Sequence, residues 1–190
     1  MLTLIAGIVI FLGTHGFTTF REARAAMIGR VGPMGFKIGY SVLSLIGFVL
    51  IVRGFSAYRA EDWVQVWVPP VWTRHLTILL MWFAFVALAC MNKAPGRIRG
   101  WLRHPMLVGI KIWALAHLLA NGDLGGMVLF GSFLAFAVFD RIAVKRRGDP
   151  GAIRIGSFTR ADGMALGLGT VAYGVMILAH PWLIGVSVIG

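Results

Sequence analysis

Long apolar segments constrain the fold of this chain more than any other feature of its sequence. A helix that crosses about 30 Å of hydrocarbon at about 1.5 Å per residue needs roughly 20 residues. Six segments approach this length and carry almost no charge; they span residues 2–20, 36–57, 71–92, 105–121, 124–142 and 164–185. The sequence therefore predicts an all-α fold, a polytopic membrane helical bundle of about six transmembrane helices.

The overall composition agrees with a surface that faces lipid. Of the 190 residues, 58% are hydrophobic and 13% are charged, whereas a soluble domain is about half apolar and about a quarter charged. The excess is too large for one buried core and fits a protein surrounded by a bilayer. The first segment has no charge before Arg21 and no convincing cleavage site, so we expect it to be retained as a helix.

Basic residues are concentrated in every second connection of this pattern. Those that follow predicted helices 1, 3 and 5 number 14: Arg21, Arg24, Arg30, Lys37, Lys93, Arg97, Arg99, Arg103, Arg141, Lys145, Arg146, Arg147, Arg154 and Arg160. The other connections hold three: Arg53, Arg59 and Arg74. By the positive-inside rule, both termini are expected on the periplasmic side of a bacterial inner membrane. Because the bases lie in short runs that are not interleaved with exposed aromatic residues, no nucleic-acid partner is expected despite a formal charge of +11.

Histidines inside predicted helices are candidate functional residues, because ionisable side chains are costly in lipid. His15 lies in predicted helix 1 and His117 in predicted helix 4, at depths that agree within the uncertainty of the helix ends. Two neutral imidazoles from different helices can serve as the axial ligands of a membrane-embedded b-type haem, with iron as the metal. A second interpretation stays open, in which each histidine forms a hydrogen bond to a neighbouring helix.

Four further polar residues are candidates near such a site. His104 precedes predicted helix 4 and either caps it or serves a polar site near the inner surface. Lys111 either extends toward the inner surface or meets an anion such as a carboxylate. Asn121 lies in a predicted turn, four residues after the helix-4 histidine, and can reach back toward it. His75 lies at the outer start of predicted helix 3, where a structural role is the alternative.

Signatures of several soluble enzyme classes are absent from the sequence. It contains no Walker phosphate loop, no dinucleotide-binding fingerprint, no zinc-ligand spacing and no serine elbow. Its single cysteine, Cys90, excludes an internal disulfide. The candidates that remain belong to membrane-embedded chemistry.

Several segments resemble the NnrU family. The most specific are Arg103-His104-Pro105-Met106-Leu107 and Lys111-Ile112-Trp113-Ala114-Leu115-Ala116-His117-Leu118-Leu119-Ala120-Asn121-Gly122-Asp123. Shorter similar runs are Phe11-Leu12-Gly13-Thr14-His15, Pro69-Pro70-Val71-Trp72-Thr73-Arg74-His75-Leu76 and Phe139-Asp140-Arg141. The resemblance predicts an NnrU-like membrane domain over residues 1–147, with helices 1 to 5. Residues 148–190, a basic loop and the sixth helix of the same bundle, match less distinctly.

The resemblance implies a protein of the bacterial inner membrane that is accessory to denitrification. The family is linked to the production of active nitrite and nitric oxide reductases, so these enzymes or their maturation factors are implied as partners. It is also related to the 15-cis-zeta-carotene isomerases, membrane enzymes that hold a b-type haem between two histidines. Those histidines match His15 and His117, so the resemblance implies haem b as the cofactor.

One position departs from the isomerases. They have a cysteine three residues before the second histidine, proposed as an alternative ligand, and this chain has Ala114 there. A redox-driven exchange of ligands by that route is therefore excluded. Two other functions stay open: a haem-dependent membrane isomerase or oxidoreductase acting on a lipophilic polyene or quinone, and a cofactor-free membrane scaffold.

Overall fold

The computed structural model describes residues 1–91 and 94–189, and most of these residues are helical. The helices in this part of the chain are α1 Leu2–Phe17, α2 Arg21–Glu61, α3 Val71–Ala89, α4 Arg97–Leu102, α5 Pro105–Ala120, α6 Leu124–Arg146 and α7 Arg160–Ile184. The same residues contain no β-strand, and their one isolated β-bridge pairs Gln65 with Asp123. The predicted all-α fold is confirmed.

Four helices of the described part, α2, α3, α6 and α7, are long and apolar enough to cross a membrane. The other two apolar helices, α1 and α5, have 16 residues each. All six predicted segments are helical over most of their length, while the count of six spans and the side of the termini stay predictions. Asn92, at the end of the predicted segment 71–92, and Lys93, in the basic connection that follows, lie outside the described residues.

The structure corrects two predicted connections, which are helical rather than loops. α2 begins at Arg21, and α4 occupies the connection after α3. Alanine and arginine are good helix formers, whereas the prediction counted apolar content and therefore missed helices that are polar. Within α2 the helix is interrupted at Gly32, which has φ 75° and ψ 163°. Pro33 disfavours a helical conformation of the residue before it, and glycine tolerates the positive φ that results.

The chain divides into two compact units. Unit 1 comprises Met1–Val68 and Asn121–Ala143, and it contains α1, α2 and most of α6. Unit 2 comprises Pro69–Ala120 and the chain from Val144 onward, with α3, α4, α5 and α7. The connection between α5 and α6 has only three residues, as the sequence predicted.

In unit 1, glycines allow the backbones of α1 and α2 to approach closely. A Cβ atom on Gly7 would lie 2.5 Å from the backbone nitrogen of Ile51, and one on Gly47 would lie 2.7 Å from that of Phe11. Small residues at such contacts are typical of helix packing in membranes. The contact runs antiparallel, so the last turns of α1 lie near the middle of α2.

An extended strap, residues 63–68, follows α2 in unit 1. Tyr58 is fully buried. Its hydroxyl donates a hydrogen bond to the carbonyl of Val64 at 3.3 Å and accepts one from the N–H of Val64 at 3.1 Å. The carbonyl of Gly122 accepts hydrogen bonds from two strap N–H groups, at 2.8 and 3.0 Å. The strap is thereby joined both to α2 and to the turn before α6.

In unit 2, α3 packs against both α5 and α7. The hydroxyl of Thr77 donates to the carbonyl of Ala116 at 2.7 Å, which joins α3 to α5. The hydroxyl of Tyr173 donates to the carbonyl of Ile78 at 3.0 Å, which joins α7 to α3. These bonds place hydroxyl donors of one helix on backbone carbonyls of a neighbouring helix.

The buried carboxylate of Asp162 connects the start of α7 to the start of α4. It is 1% exposed and accepts hydrogen bonds from the N–H groups of Arg97 at 2.9 Å and Ile98 at 2.7 Å. It also accepts one from the N–H of Thr159 at 2.8 Å, within a capping box that begins α7. One carboxylate therefore satisfies N–H groups at the ends of two helices.

Candidate functional site

His15 is held in the last turns of α1 by its own helix. Its Nδ1 atom lies 2.7 Å from the carbonyl oxygen of Phe11, and the two rings stack with centroids 4.2 Å apart. Tyr40 of α2 and Phe136 of α6 approach the imidazole at centroid distances of 5.3 and 6.5 Å. The half-buried ring therefore lies in an aromatic surrounding contributed by all three helices of unit 1.

His117 of α5 makes the same contact in unit 2. Its Nδ1 atom lies 2.8 Å from the carbonyl oxygen of Trp113, and its ring centroid is 5.4 Å from that of Trp113. Ala114 and Ala116, which lie between the tryptophan and the histidine in this helical turn, are fully buried. The half-buried ring thus lies on a helical turn that contains two small, buried residues.

The contact determines which nitrogen of each ring carries hydrogen. A backbone carbonyl oxygen can only accept, so Nδ1 must be the donor in both His15 and His117. In a neutral imidazole, Nε2 is then the nitrogen with the lone pair. This is the tautomer of a histidine that ligates a metal through Nε2, with its other nitrogen oriented by a backbone carbonyl. The same contact also satisfies a histidine that only packs in a helix.

The other predicted residues are distributed over both units. Asn121 belongs to unit 1, with His15, whereas Lys111, His104 and His75 belong to unit 2 with His117. Lys111 is half-buried on α5, six residues before the histidine, and lies on a different face of that helix. His75 is exposed in the first turn of α3.

His104 lies where the sequence placed it, immediately before α5. Its carbonyl accepts the first hydrogen bond of that helix, from the N–H of Val108 at 3.1 Å, which is the position of a cap. A Cβ atom on Gly151 would lie 2.8 Å from the Nε2 atom of His104, so the imidazole ring packs against the backbone of the connection between α6 and α7. This contact favours the structural alternative for His104.

Within the described residues, no cluster of three or more His, Cys, Asp and Glu side chains is placed to hold a metal ion. A site of that kind, with three protein ligands, is therefore not found in residues 1–91 and 94–189. Axial ligation of haem needs only two histidines, so this finding does not bear on it.

A cavity of about 300 Å³ opens at the start of α3 and the end of α5; it is lined by Pro69, Pro70, Val71, Thr73, Arg74 and Ala120.

Cys90, just after α3, is 3% exposed and forms no disulfide. Burial raises the pKa of its thiol, the carboxylate of Asp162 raises it further, and the Arg99 guanidinium opposes both effects. The thiol is therefore neutral near pH 7, and a neutral buried thiol is a poor nucleophile and a poor metal ligand.

Sequence reasoning missed the supporting polar residues, of which Tyr58 and Asp162 are fully buried. The spacing Thr159-x-x-Asp162 has the form of a capping box and would have indicated the helix start at Arg160. The same spacing does not indicate that Asp162 also accepts hydrogen bonds from the N–H groups at the start of α4. Tyr58 had no local signal, because its partner strap is irregular.

Comparisons with known proteins identify a family. A family model described as NnrU protein matches residues 3–188, nearly the whole chain and including residues 148–188, where the sequence resemblance is less distinct. Neither the curated proteins nor the solved structures contain a match.

Proposed function

Because the chain belongs to the NnrU family, we propose that it is a multi-pass protein of the bacterial inner membrane that binds b-type haem between His15 and His117. In this role it is accessory to denitrification, in the production or maturation of nitrite and nitric oxide reductases. The haem part rests on one observation, the backbone contact that both imidazoles make through Nδ1, at 2.7 and 2.8 Å.

The shared contact suits two histidines that would hold the iron of a haem. Each Nδ1–H is engaged by a backbone carbonyl, so the lone pair of the neutral imidazole lies on Nε2, the nitrogen that would ligate iron. Each ring is also kept in one orientation, which lowers the entropy lost when a ligand bond forms. The aromatic side chains around His15 provide apolar surface of the kind that a porphyrin packs against. Bound haem would supply one-electron redox chemistry.

Absorption spectroscopy of the purified protein tests the haem proposal. Wild-type protein expressed with a haem supply should show a Soret band and the sharp α and β bands of a six-coordinate, low-spin haem when reduced. His15→Ala and His117→Ala should each lose the six-coordinate spectrum. His75→Ala and His180→Ala, which remove exposed or terminal histidines, are matched controls and should keep it. A featureless wild-type spectrum contradicts the proposal and favours the cofactor-free scaffold.

The role in denitrification needs a separate test. In a denitrifying host that lacks its own copy, the wild-type protein should restore nitrite and nitric oxide reductase activities, and His15→Ala should not. If haem binds but activity is restored equally by the variant, the haem assignment stands and its role in denitrification is wrong.

Membrane insertion rests on the four long apolar helices and on the exposed apolar side chains that they carry. Six spans with basic connections on the cytoplasmic side predict periplasmic termini. Alkaline phosphatase fused after residue 190 should be active, and fusions after residue 100 should be inactive. The opposite pattern would contradict the predicted orientation.

A further inference from the structure

A basic surface covers α4 and the connection between α6 and α7 in unit 2; we refer to it as the α4 surface. Residues 97–103 and 144–160 contain eight Lys and Arg residues against a single acidic residue, Asp149. Among the bases, Lys145, Arg146, Arg154 and Arg160 are exposed. Positive charge therefore dominates this part of the molecule.

Aromatic side chains lie among these bases, which the sequence analysis did not expect. The guanidinium carbon of Arg97 is 4.7 Å from the ring centroid of Trp101 and 5.5 Å from that of Phe158. Trp101 is 57% exposed, Phe158 58% and Ile153 82%. The α4 surface thus combines a cation that contacts two aromatic rings with three large apolar side chains that are each more than half exposed.

Backbone contacts join the two halves of the α4 surface. Asp162 holds the N–H groups at the start of α4, as described above. The backbone of Arg103 accepts a hydrogen bond from the N–H of Ala152 at 2.8 Å, and its guanidinium donates to the carbonyl of Ala152 at 3.3 Å. A Cβ atom on Gly100 would lie 2.7 Å from the carbonyl oxygen of Ile153. Both halves of the surface therefore keep a defined relative position.

We propose that the α4 surface binds anionic phospholipid, with the Arg97 guanidinium on the lipid phosphate and with Trp101, Ile153 and Phe158 entering the headgroup layer. Its place in the chain supports this partner. α5 begins at Pro105, two residues after α4 and its cap, and the apolar helix α7 begins at Arg160. The surface thus adjoins the ends of apolar helices, which is the depth where tryptophan and arginine contact headgroups.

Charge and apolar exposure together favour lipid over other anionic partners. A nucleic acid or an acidic protein segment would satisfy the bases, but it would leave a side chain such as Ile153, 82% exposed, without apolar cover. An anionic lipid supplies both a phosphate and hydrocarbon. Each base near an anionic membrane surface contributes about 1 kcal/mol, which is about fivefold in association. This inference is independent of the haem proposal.

Spin-labelled lipids test the proposal with the intact protein. The protein is reconstituted in phosphatidylcholine vesicles that contain trace spin-labelled phosphatidylglycerol or spin-labelled phosphatidylcholine, and the motionally restricted fraction is measured. Wild type should associate several-fold more strongly with phosphatidylglycerol at low salt, and the preference should decrease in about 0.5 M salt, where screening is strong. Arg97→Gln combined with Trp101→Ala should reduce the preference about fivefold.

Two controls assign the preference to this surface. Arg53→Gln removes an exposed base in unit 1, and Trp182→Ala removes a tryptophan that is 89% exposed at the far end of α7; both should keep the preference. Brominated phosphatidylglycerol should quench wild-type tryptophan fluorescence more than brominated phosphatidylcholine does, and the conservative Trp101→Phe should remove the difference. Equal association of both lipids with wild type, or equal quenching by both, would overturn the proposal, as would a preference kept by the double variant.

Discussion

His15 donates its Nδ1–H to the carbonyl oxygen of Phe11 at 2.7 Å, while the two rings stack on each other. The bond determines the tautomer, and the stacking determines the orientation of the ring. His117 makes the same hydrogen bond to the carbonyl oxygen of Trp113 at 2.8 Å, but there the two rings are tilted by 51°. Two histidines that are far apart in the sequence therefore make the same hydrogen bond, each to the carbonyl oxygen of the residue one helical turn earlier.

Nitrogen NMR can check this tautomer directly. In haem-free protein labelled with ¹⁵N-histidine, at a pH where imidazole is neutral, His15 and His117 should both show a protonated Nδ1 and an unprotonated Nε2. The reason is that Nδ1 of each ring lies at hydrogen-bond distance from a backbone carbonyl oxygen, which can only accept. Signals are assigned by their loss in His15→Gln and His117→Gln. A protonated Nε2 at either residue would remove the structural basis of the ligand assignment.

Gly47→Ala should destabilise the protein, because its Cβ would be placed 2.7 Å from the backbone nitrogen of Phe11. We expect a loss of about 1–3 kcal/mol from overpacking. Gly39→Ala on the same helix is the matched control, since nothing lies within 4 Å of the added carbon. It should be neutral or stabilising by about 0.5–1 kcal/mol. Thermal unfolding in detergent measures both, and equal melting temperatures would contradict the close approach of α1 and α2.

Asp162→Ala should be among the most destabilising single changes in unit 2. It leaves the N–H groups of Arg97, Ile98 and Thr159 without their acceptor, at about 1–3 kcal/mol for each group that stays buried. Asp149→Ala is the control, because that carboxylate is exposed and accepts one bond from the N–H of Gly151. Proteolysis and thermal unfolding should show a large effect for the first variant and less than about 1 kcal/mol for the second.

Tyr58→Phe should loosen the strap that follows α2. It removes a hydroxyl that bonds both the N–H and the carbonyl of Val64, and we expect a loss of about 1–2 kcal/mol. Tyr173→Phe removes a single bond to the carbonyl of Ile78 and should cost less. Hydrogen exchange of the Val64 amide should accelerate only in the first variant; unchanged exchange there would show that the tyrosine does not hold the strap.

Cys90 should react slowly with maleimide in folded protein. Burial raises the pKa of its thiol, and the thiolate is the reactive species, so its fraction at pH 8 is small. A Cys90→Ser, Ser157→Cys variant places a thiol at an exposed position and should react at least about tenfold faster. Comparable rates for the two proteins would contradict the burial of Cys90.

Apolar content predicted the helices of this chain well, and it failed where helices are polar. The starts of α3 at Val71, α5 at Pro105 and α6 at Leu124 match the predicted boundaries. The helical stretch from Arg21 and the short helix α4 were predicted as connections, because their side chains are too polar to register as membrane segments. Helix formation depends on backbone propensity as well as on burial, and hydropathy reports only the latter.

For the candidate site too, the sequence identified some residues, and the tertiary structure alone identified the contacts that support the fold around them. His15 and His117 were identified from the sequence because a histidine in an apolar helix is unusual wherever it lies. The sequence also determined the helical class and the alternation of basic connections, since both follow from residues that are near one another in the chain. Only the tertiary structure decided that Asp162 caps α4, that Tyr58 holds the strap and that Phe158 covers Arg97. Those contacts join residues that are distant in sequence or lie in irregular backbone, and no local pattern of residues specifies such a pairing.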